Sequence, residues 1–228
     1  MKRLFLMTMV FVATLGMAMA SCSNDEPESP NRPETETPDE GDDESPEEPS
    51  TPSEHKTLIA YYSYTNNVER IVTELRSQID ADGVEIEPAE KGLDYAANNY
   101  ALGTALLNAI RNNPGDASSY PAIDAVDVKM DEYDMVMIAC PLWWSQMAAP
   151  FQTFLFRYGP QMAGKSIGVI VSSASSGISG VVADAKRLIP DGKFLEPNLW
   201  IRSSQTSDSR SMIERWLKDI EILKQTIT

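Results

Sequence analysis

The stretch EYDMVMIACPLWWSQMAAPFQTFLFR, residues 132–157, decides the fold. Its first part, Met135 to Cys140, is a short and continuously apolar run. Such a run suits a strand buried on both faces of a parallel sheet. Pro141 has no N–H to extend a ladder and predicts the end of that strand. Pro150 suits the first turn of a helix, where its missing N–H has no partner to lose, and Phe151, Phe154 and Leu155 form an apolar face behind it. Trp143 and Trp144 are thereby placed in a loop at the carboxyl end of a strand, the edge where open α/β sheets bind ligands.

The same alternation extends in both directions. Thr57 to Tyr62 reads as a first buried strand, and Asn67 to Ile79 as a helix with Val68, Ile71, Val72, Leu75 and Ile79 on one face. Asp82-Gly83 predicts a turn into a second strand, Val84 to Glu87, and a helix spans Tyr95 to Arg111 before Asn-Asn-Pro-Gly. After the run at 135–140 come a fourth strand, Ser166 to Ser172, a helix from Ser179 to Leu188, and a fifth strand, Leu195 to Ile201. A last helix buries Met212, Trp216, Ile220 and Leu223, with Ser211 and Glu214 at the spacing of a capping box. Five strands alternating with helices imply an α/β domain over residues 56–228, built on a doubly wound parallel sheet with right-handed crossovers.

The ends of the chain carry a different message. Residues 1–22 read as an export signal: Lys2 and Arg3, an apolar run from Leu4 to Leu15, then small residues leading to Cys22. Met19-Ala20-Ser21-Cys22 resembles the lipobox of bacterial lipoproteins, departing from it at Met19, where Leu is usual. That resemblance implies that Cys22 is acylated, as with palmitate, and becomes the mature N-terminus. The alternative is an ordinary cleaved signal. No twin-arginine pair is present, so export is of the unfolded chain and any cofactor is acquired outside the cytoplasm. Residues 23–55 hold 13 acidic residues and one arginine among Pro, Ser and Thr, too polar to offset the entropy of folding, and are expected to form a disordered tether. Asp25, Glu26 and Glu28 resemble the acidic export signal of surface-exposed lipoproteins in one Gram-negative phylum. The expected location is therefore the cell envelope, on the periplasmic or surface side of the outer membrane.

Most of the net charge of −15 belongs to the tether; residues 56–228 hold 21 acidic and 16 basic residues. So mild an acidity argues against nucleic acid as a partner. The only histidine, His55, lies in the tether, which leaves a Ser-His or Cys-His pair and a His-rich metal site unsupported. Gly177-Ile178-Ser179-Gly180 is not a nucleophile elbow, and no Gly-rich dinucleotide fingerprint follows a strand. No catalytic residue and no metal ligand is assigned. Cys140 reads as a packed thiol, since free cysteine behaves as a small hydrophobe.

Three loops at carboxyl ends of strands remain. Ser63-Tyr64-Thr65-Asn66-Asn67-Val68 is a hydroxyl-rich turn opening a helix, able to hold a phosphate on backbone N–H groups and the helix dipole. Pro141-Leu142-Trp143-Trp144 offers broad aromatic faces. Ser172-Ser173-Ala174-Ser175-Ser176-Gly177 is small and polar, able to hydrogen-bond the edge of a planar heterocycle. Phosphate cradle, aromatic wall and polar edge together describe an FMN site. Asp94, Tyr95 and Tyr100 either flank that pocket or form a solvated helix face.

On these motifs residues 56–228 resemble the flavodoxin-like family. Its phosphate loop reads Ser/Thr-x-Thr-Gly-Asn-Thr; here Ser63, Thr65 and Asn67 match, while Asn66 replaces the Gly and Val68 the last Thr. YDMVMIACPLWW, APFQTFL and GKSIGVIV resemble the family's YDxIxxGxPxWW, PxxxFL and GKxxxxxxT stretches, and the His often found in the fourth loop of this branch is missing. The resemblance implies a three-layer α/β/α domain with a five-stranded sheet in order 2-1-3-4-5, and FMN between strands one and three. It also implies electron transfer or reduction of a small acceptor such as a quinone. A cofactor-free binding lipoprotein that retains the fold is the alternative.

Overall fold

A computed structural model describes residues 56–175 and 177–223. The predicted signal with Cys22, the acidic segment 23–55, Ser176 and residues 224–228 lie outside the described residues.

In chain order the elements are β1 (Thr57–Tyr61), α1 (Asn67–Arg76), β2 (Asp82–Glu85), α2 (Ala97–Asn112), β3 (Met135–Trp143) and β4 (Gln146–Met147). They are followed by α3 (Ala149–Tyr158), β5 (Ser166–Ser173), α4 (Ser179–Leu188), β6 (Lys193–Phe194), β7 (Leu199–Arg202) and α5 (Ser209–Asp219). The sheet runs β2-β1-β3-β5-β6, with β7 also on β5; every pair is parallel except the short β3–β4 hairpin. Taking β6 and β7 as two halves of one fifth strand gives the expected 2-1-3-4-5 order.

Alternation along the strands sends side chains into two cores. Leu58, Ala60, Val136, Ile138, Cys140, Val169 and Val171 pack with residues of α2, α3 and α4, while Ile59, Met137, Ala139 and Ile170 pack with α1 and α5. This is a sheet covered on both faces, the three-layer α/β/α arrangement, and it accounts for the uninterrupted apolar run at 135–140.

Four local expectations are corrected. β3 does not stop at Pro141 but continues to Trp143, with Pro141 opposite Ser172 of β5. The last bond across to β1 runs from the Tyr62 N–H to the Ala139 carbonyl at 3.0 Å, so beyond that point β3 has an open edge and the missing N–H of Pro141 breaks nothing. β2 runs Asp82–Glu85 rather than 84–87, its register on β1 starting at Leu58 opposite Asp82, whose carboxylate is held by the Tyr133 hydroxyl at 2.8 Å and by Lys56. The fifth strand, expected at 195–201, is broken at residues 195–198 around Pro197, which cannot donate to a ladder. Ser211 lies inside the first turn of α5 and donates to the Asp208 carbonyl at 3.2 Å, so it makes no capping box with Glu214. That helix buries Ile213, Trp216, Leu217 and Ile220, leaving Met212 and Leu223 half-buried at its margin.

Candidate functional site

Chain order makes β1 and β3 the switch point of the sheet, since the connection after β1 leads to β2 on one side and the next leads to β3 on the other. The two connections diverge there and leave a crevice at the carboxyl ends. A cavity of about 420 Å³ occupies it, within the size range of small-molecule sites.

All three predicted loops reach this cavity. Ser63, Tyr64, Thr65, Asn67 and Val68 line it from the turn after β1. Pro141, Leu142, Trp143 and Trp144 line it from the end of β3, and Ser172, Ser173 and Ala174 from the end of β5. Asn66 and Gly177 do not. Asn66 instead makes the turn itself, with a left-handed backbone (φ 61°, ψ 3°) that Asn tolerates better than most residues. Gly177 stands clear, with no atom within 4 Å of the place a Cβ would take. Four lining residues were not among the predicted set: Tyr95, Ala96 and Tyr100 ahead of the regular part of α2, and Ser203 after β7. The tyrosines carried a sequence signal as a possible flank. Ser203 carried none, because a break in the preceding strand decides where it falls.

The turn after β1 is built for an anion. The Ser63 hydroxyl accepts from the Glu69 N–H at 3.2 Å and the Asn66 carbonyl from the Arg70 N–H at 3.1 Å, which tightens the entry to α1. The Asn66 side chain caps nothing and Ser63 takes only the Glu69 N–H, so the Asn67 and Val68 N–H groups at the start of α1 keep their donors for a ligand. Thr65 Oγ1 receives the Asn67 amide at 3.2 Å. Val68 is 1% exposed and packs into the core, so its side chain adds no polar atom. Among the described residues no charged side chain lines the cavity, which leaves the helix terminus as its main source of positive potential.

The opposite end is aromatic. Trp143 is 8% exposed and boxed by the rings of Tyr62, Tyr64 and Tyr95 at centroid distances of 5.9, 6.2 and 4.8 Å. Trp144 is 44% exposed and meets Tyr100 edge-on at 5.6 Å. The two tryptophans therefore divide the work: one is core, the other presents a free face. Trp144 and Ser145 are the two loop residues of the β3–β4 hairpin and have φ of 45° and 63°, the signs of a type I′ turn. A tryptophan there is strained, by roughly 1–3 kcal/mol for a non-glycine in this region. Across the mouth, Asn98, Asn99 and Tyr100 are also left-handed, with φ of 51°, 55° and 62°.

Two tyrosine hydroxyls belong to residues of this wall. The Tyr64 hydroxyl donates to Asp94 Oδ1 at 3.1 Å, and the same oxygen accepts from the Ala96 and Ala97 N–H groups. These bonds, the Ala96 one first, hold the Asp94 carboxyl below the usual carboxylate range. Tyr95 is 4% exposed, and its hydroxyl has no hydrogen-bond partner among the described residues. Burial, with smaller contributions from Glu90 and Tyr64, pushes that phenol up, so it stays a neutral donor.

A parallel sheet in this order, helices on both faces and a neutral cavity at the switch point define a flavodoxin-type α/β domain. The sequence profile described as flavodoxin matches residues 56–220, and the chain belongs to that family. No curated protein matches it. Among solved structures, a candidate flavoprotein from Bacteroides eggerthii DSM 20697 is 24% identical with a TM-score of 0.59, covering 74% of this chain and 99% of its own. A second, from Bacteroides uniformis ATCC 8492, is 24% identical with a TM-score of 0.57, covering 72% and 98%. A flavoprotein from Lactobacillus acidophilus NCFM, solved in complex with FMN, is 22% identical with a TM-score of 0.53, covering 69% and 99%. At these identities the likeness speaks for a common fold.

Proposed function

We propose that this protein binds FMN in the switch-point cavity and works in electron transfer or in reducing a small acceptor such as a quinone. One observation carries the reading. One cavity, with no charged side chain among its described lining residues, has at one end the start of α1, where Asn66 caps nothing, and at the other the half-exposed indole of Trp144. The cavity thus fits a ligand that is anionic at one end and flat at the other.

In this reading the turn 63–68 holds the phosphate on N–H groups and on the Thr65 hydroxyl, Trp144 covers one face of the ring, and Ser172 and Ser173 meet its polar edge. When bound, FMN supplies one- and two-electron redox chemistry. The chain orients the ring, excludes water from its buried side through Trp143, and keeps the surroundings neutral.

The proposal extends to location: acylation at Cys22 and a polar tether hold the domain to a membrane of the cell envelope, on its periplasmic or surface side. Replacing Cys22 with Ser should release the protein from membranes; retention at high salt would refute the anchor.

Absorbance and fluorescence titration of the purified protein with FMN tests the cofactor. Binding with quenched flavin fluorescence is expected, tighter for FMN than for riboflavin by about 1.5–3 kcal/mol from the charge-assisted phosphate bonds. No binding of either flavin at sub-millimolar concentration would favour the cofactor-free binding protein instead.

A further inference from the structure

Trp144 and Ser145 hold left-handed backbones that neither residue type favours, and such a turn persists only where its surroundings fix it. What fixes it lies behind the hairpin, away from the cavity. Asp184 of α4 is 8% exposed, and its Oδ2 accepts the Met147 N–H at 3.0 Å. Its Oδ1 accepts from Arg187 at 3.0 Å. Arg187 also donates to Gln152 Oε1 at 2.9 Å, and Gln152 returns a bond to the Met147 carbonyl at 2.8 Å. Both backbone groups of Met147 are therefore held, one by a carboxylate and one by an amide tied to the same guanidinium. Gly180, one turn earlier on α4, lies so close to the Ser145 carbonyl oxygen that a Cβ there would collide with it.

A buried carboxylate is an expensive way to stabilise a domain, and a packed apolar pair commonly does as well. Here the charge sits where one backbone N–H must be held in a strained hairpin. We propose that Asp184 is a positioning residue: by holding Met147 it fixes the turn that presents the Trp144 indole to the cavity. The assignment rests on the FMN reading above for the ligand that the indole meets. Asp184 does not itself line the cavity. Its effect should therefore fall on the ring end of the site and spare the phosphate end, which belongs to a different loop.

The test has two arms. In flavin-free protein well below its melting temperature, Asp184→Ala should move the NMR signals of the Trp144 indole and the Ser145 amide towards disordered positions, while those of the turn 63–68 stay in place. In binding, the same variant should weaken FMN and riboflavin alike, by about tenfold, and restore part of the bound flavin's fluorescence. Asp184→Asn keeps an acceptor for the Met147 N–H and should recover most of the parent's affinity and quenching. Should Asp184→Ala fail to fold, Gly180→Ala displaces the same turn without uncovering a charge, and the same ring-end loss is expected. A folded Asp184→Ala or Gly180→Ala variant with parent-like Trp144 signals, affinity and quenching would overturn the assignment. If the parent binds neither flavin, the FMN reading falls, and the clamp stands or falls on the NMR arm alone.

Discussion

The Trp144 indole rests on Gly103: a Cβ at that position of α2 would come within 2.9 Å of the ring. Glycine inside a helix costs about 0.8–1 kcal/mol relative to alanine, so its presence here gives up helix stability for room. Gly103→Ala should therefore leave the melting temperature of the flavin-free protein unchanged or slightly raised, since the half-exposed indole is free to swing outward. Affinity for both FMN and riboflavin should fall by about 1 kcal/mol, or roughly fivefold, because the ring loses part of its wall. Parallel calorimetry and thermal melts check the two halves. A drop in stability with affinity intact would contradict the account.

The two tryptophans should separate cleanly. Trp143 is enclosed by three tyrosines, and truncating so large a buried side chain costs about 3–5 kcal/mol of folding stability. Trp144 is 44% exposed, so Trp144→Ala should change stability by no more than about 1 kcal/mol. The flavin readout reverses this order: Trp144→Ala should restore the fluorescence of bound flavin and weaken it by about 1–2 kcal/mol. Denaturant unfolding together with flavin titration of each variant decides. Unchanged quenching in Trp144→Ala would remove its stacking role.

Much of this was legible in the sequence because burial on two faces leaves a plain mark. The run at 135–140 could hardly be anything but a central strand, and the three loops follow from strand ends once the alternation is read. What was hidden depends on distant residues. Whether Pro141 ends a strand is decided by where β1 stops, and Tyr61 is its last residue. The Trp144–Ser145 turn contains none of the Asn or Gly that signal a two-residue hairpin, since Asp184, 40 positions on in the chain, supplies the constraint that local preference lacks. Ser203 reaches the cavity only because the fifth strand breaks at Pro197. The roles of Asn66 and Val68 were legible as departures from a motif, but only the structure shows that one makes the turn and the other fills the core.

Cys140 should prove inert. It is fully buried within β3, and burial, aided by the nearby Asp184 carboxylate, pushes its thiol well above the ordinary range. The folded state keeps the proton while the unfolded thiol loses it near pH 8.5. The raised folded pKa thus adds stability that is complete below about pH 8.5 and is lost as pH rises beyond it. Thiol reagents at pH 8 should label Cys140 only as fast as the domain opens. Rapid labelling of the native protein, or a pH dependence above 8.5 that persists in Cys140→Ala, would contradict this.

The phosphate turn offers the most discriminating variant, since Asn66 and Val68 stand where the family motif has Gly and Thr. Asn66 already adopts φ 61°, so Asn66→Gly preserves the turn and removes a side chain from its rim. Val68 is 1% exposed among apolar neighbours, and a threonine hydroxyl there has no described partner unless a phosphate provides one. Val68→Thr alone should therefore destabilise the flavin-free protein by about 1–2 kcal/mol. With FMN present the hydroxyl gains its acceptor, and the double variant Asn66→Gly/Val68→Thr should bind FMN tighter by about 1–3 kcal/mol. Riboflavin, lacking the phosphate, should gain little. Calorimetric titration of both flavins against parent and double variant reads the difference directly. Equal gains for the two flavins would move the phosphate away from this turn, and a loss of FMN affinity in the double variant would mean that Asn66 itself takes part in holding the ligand.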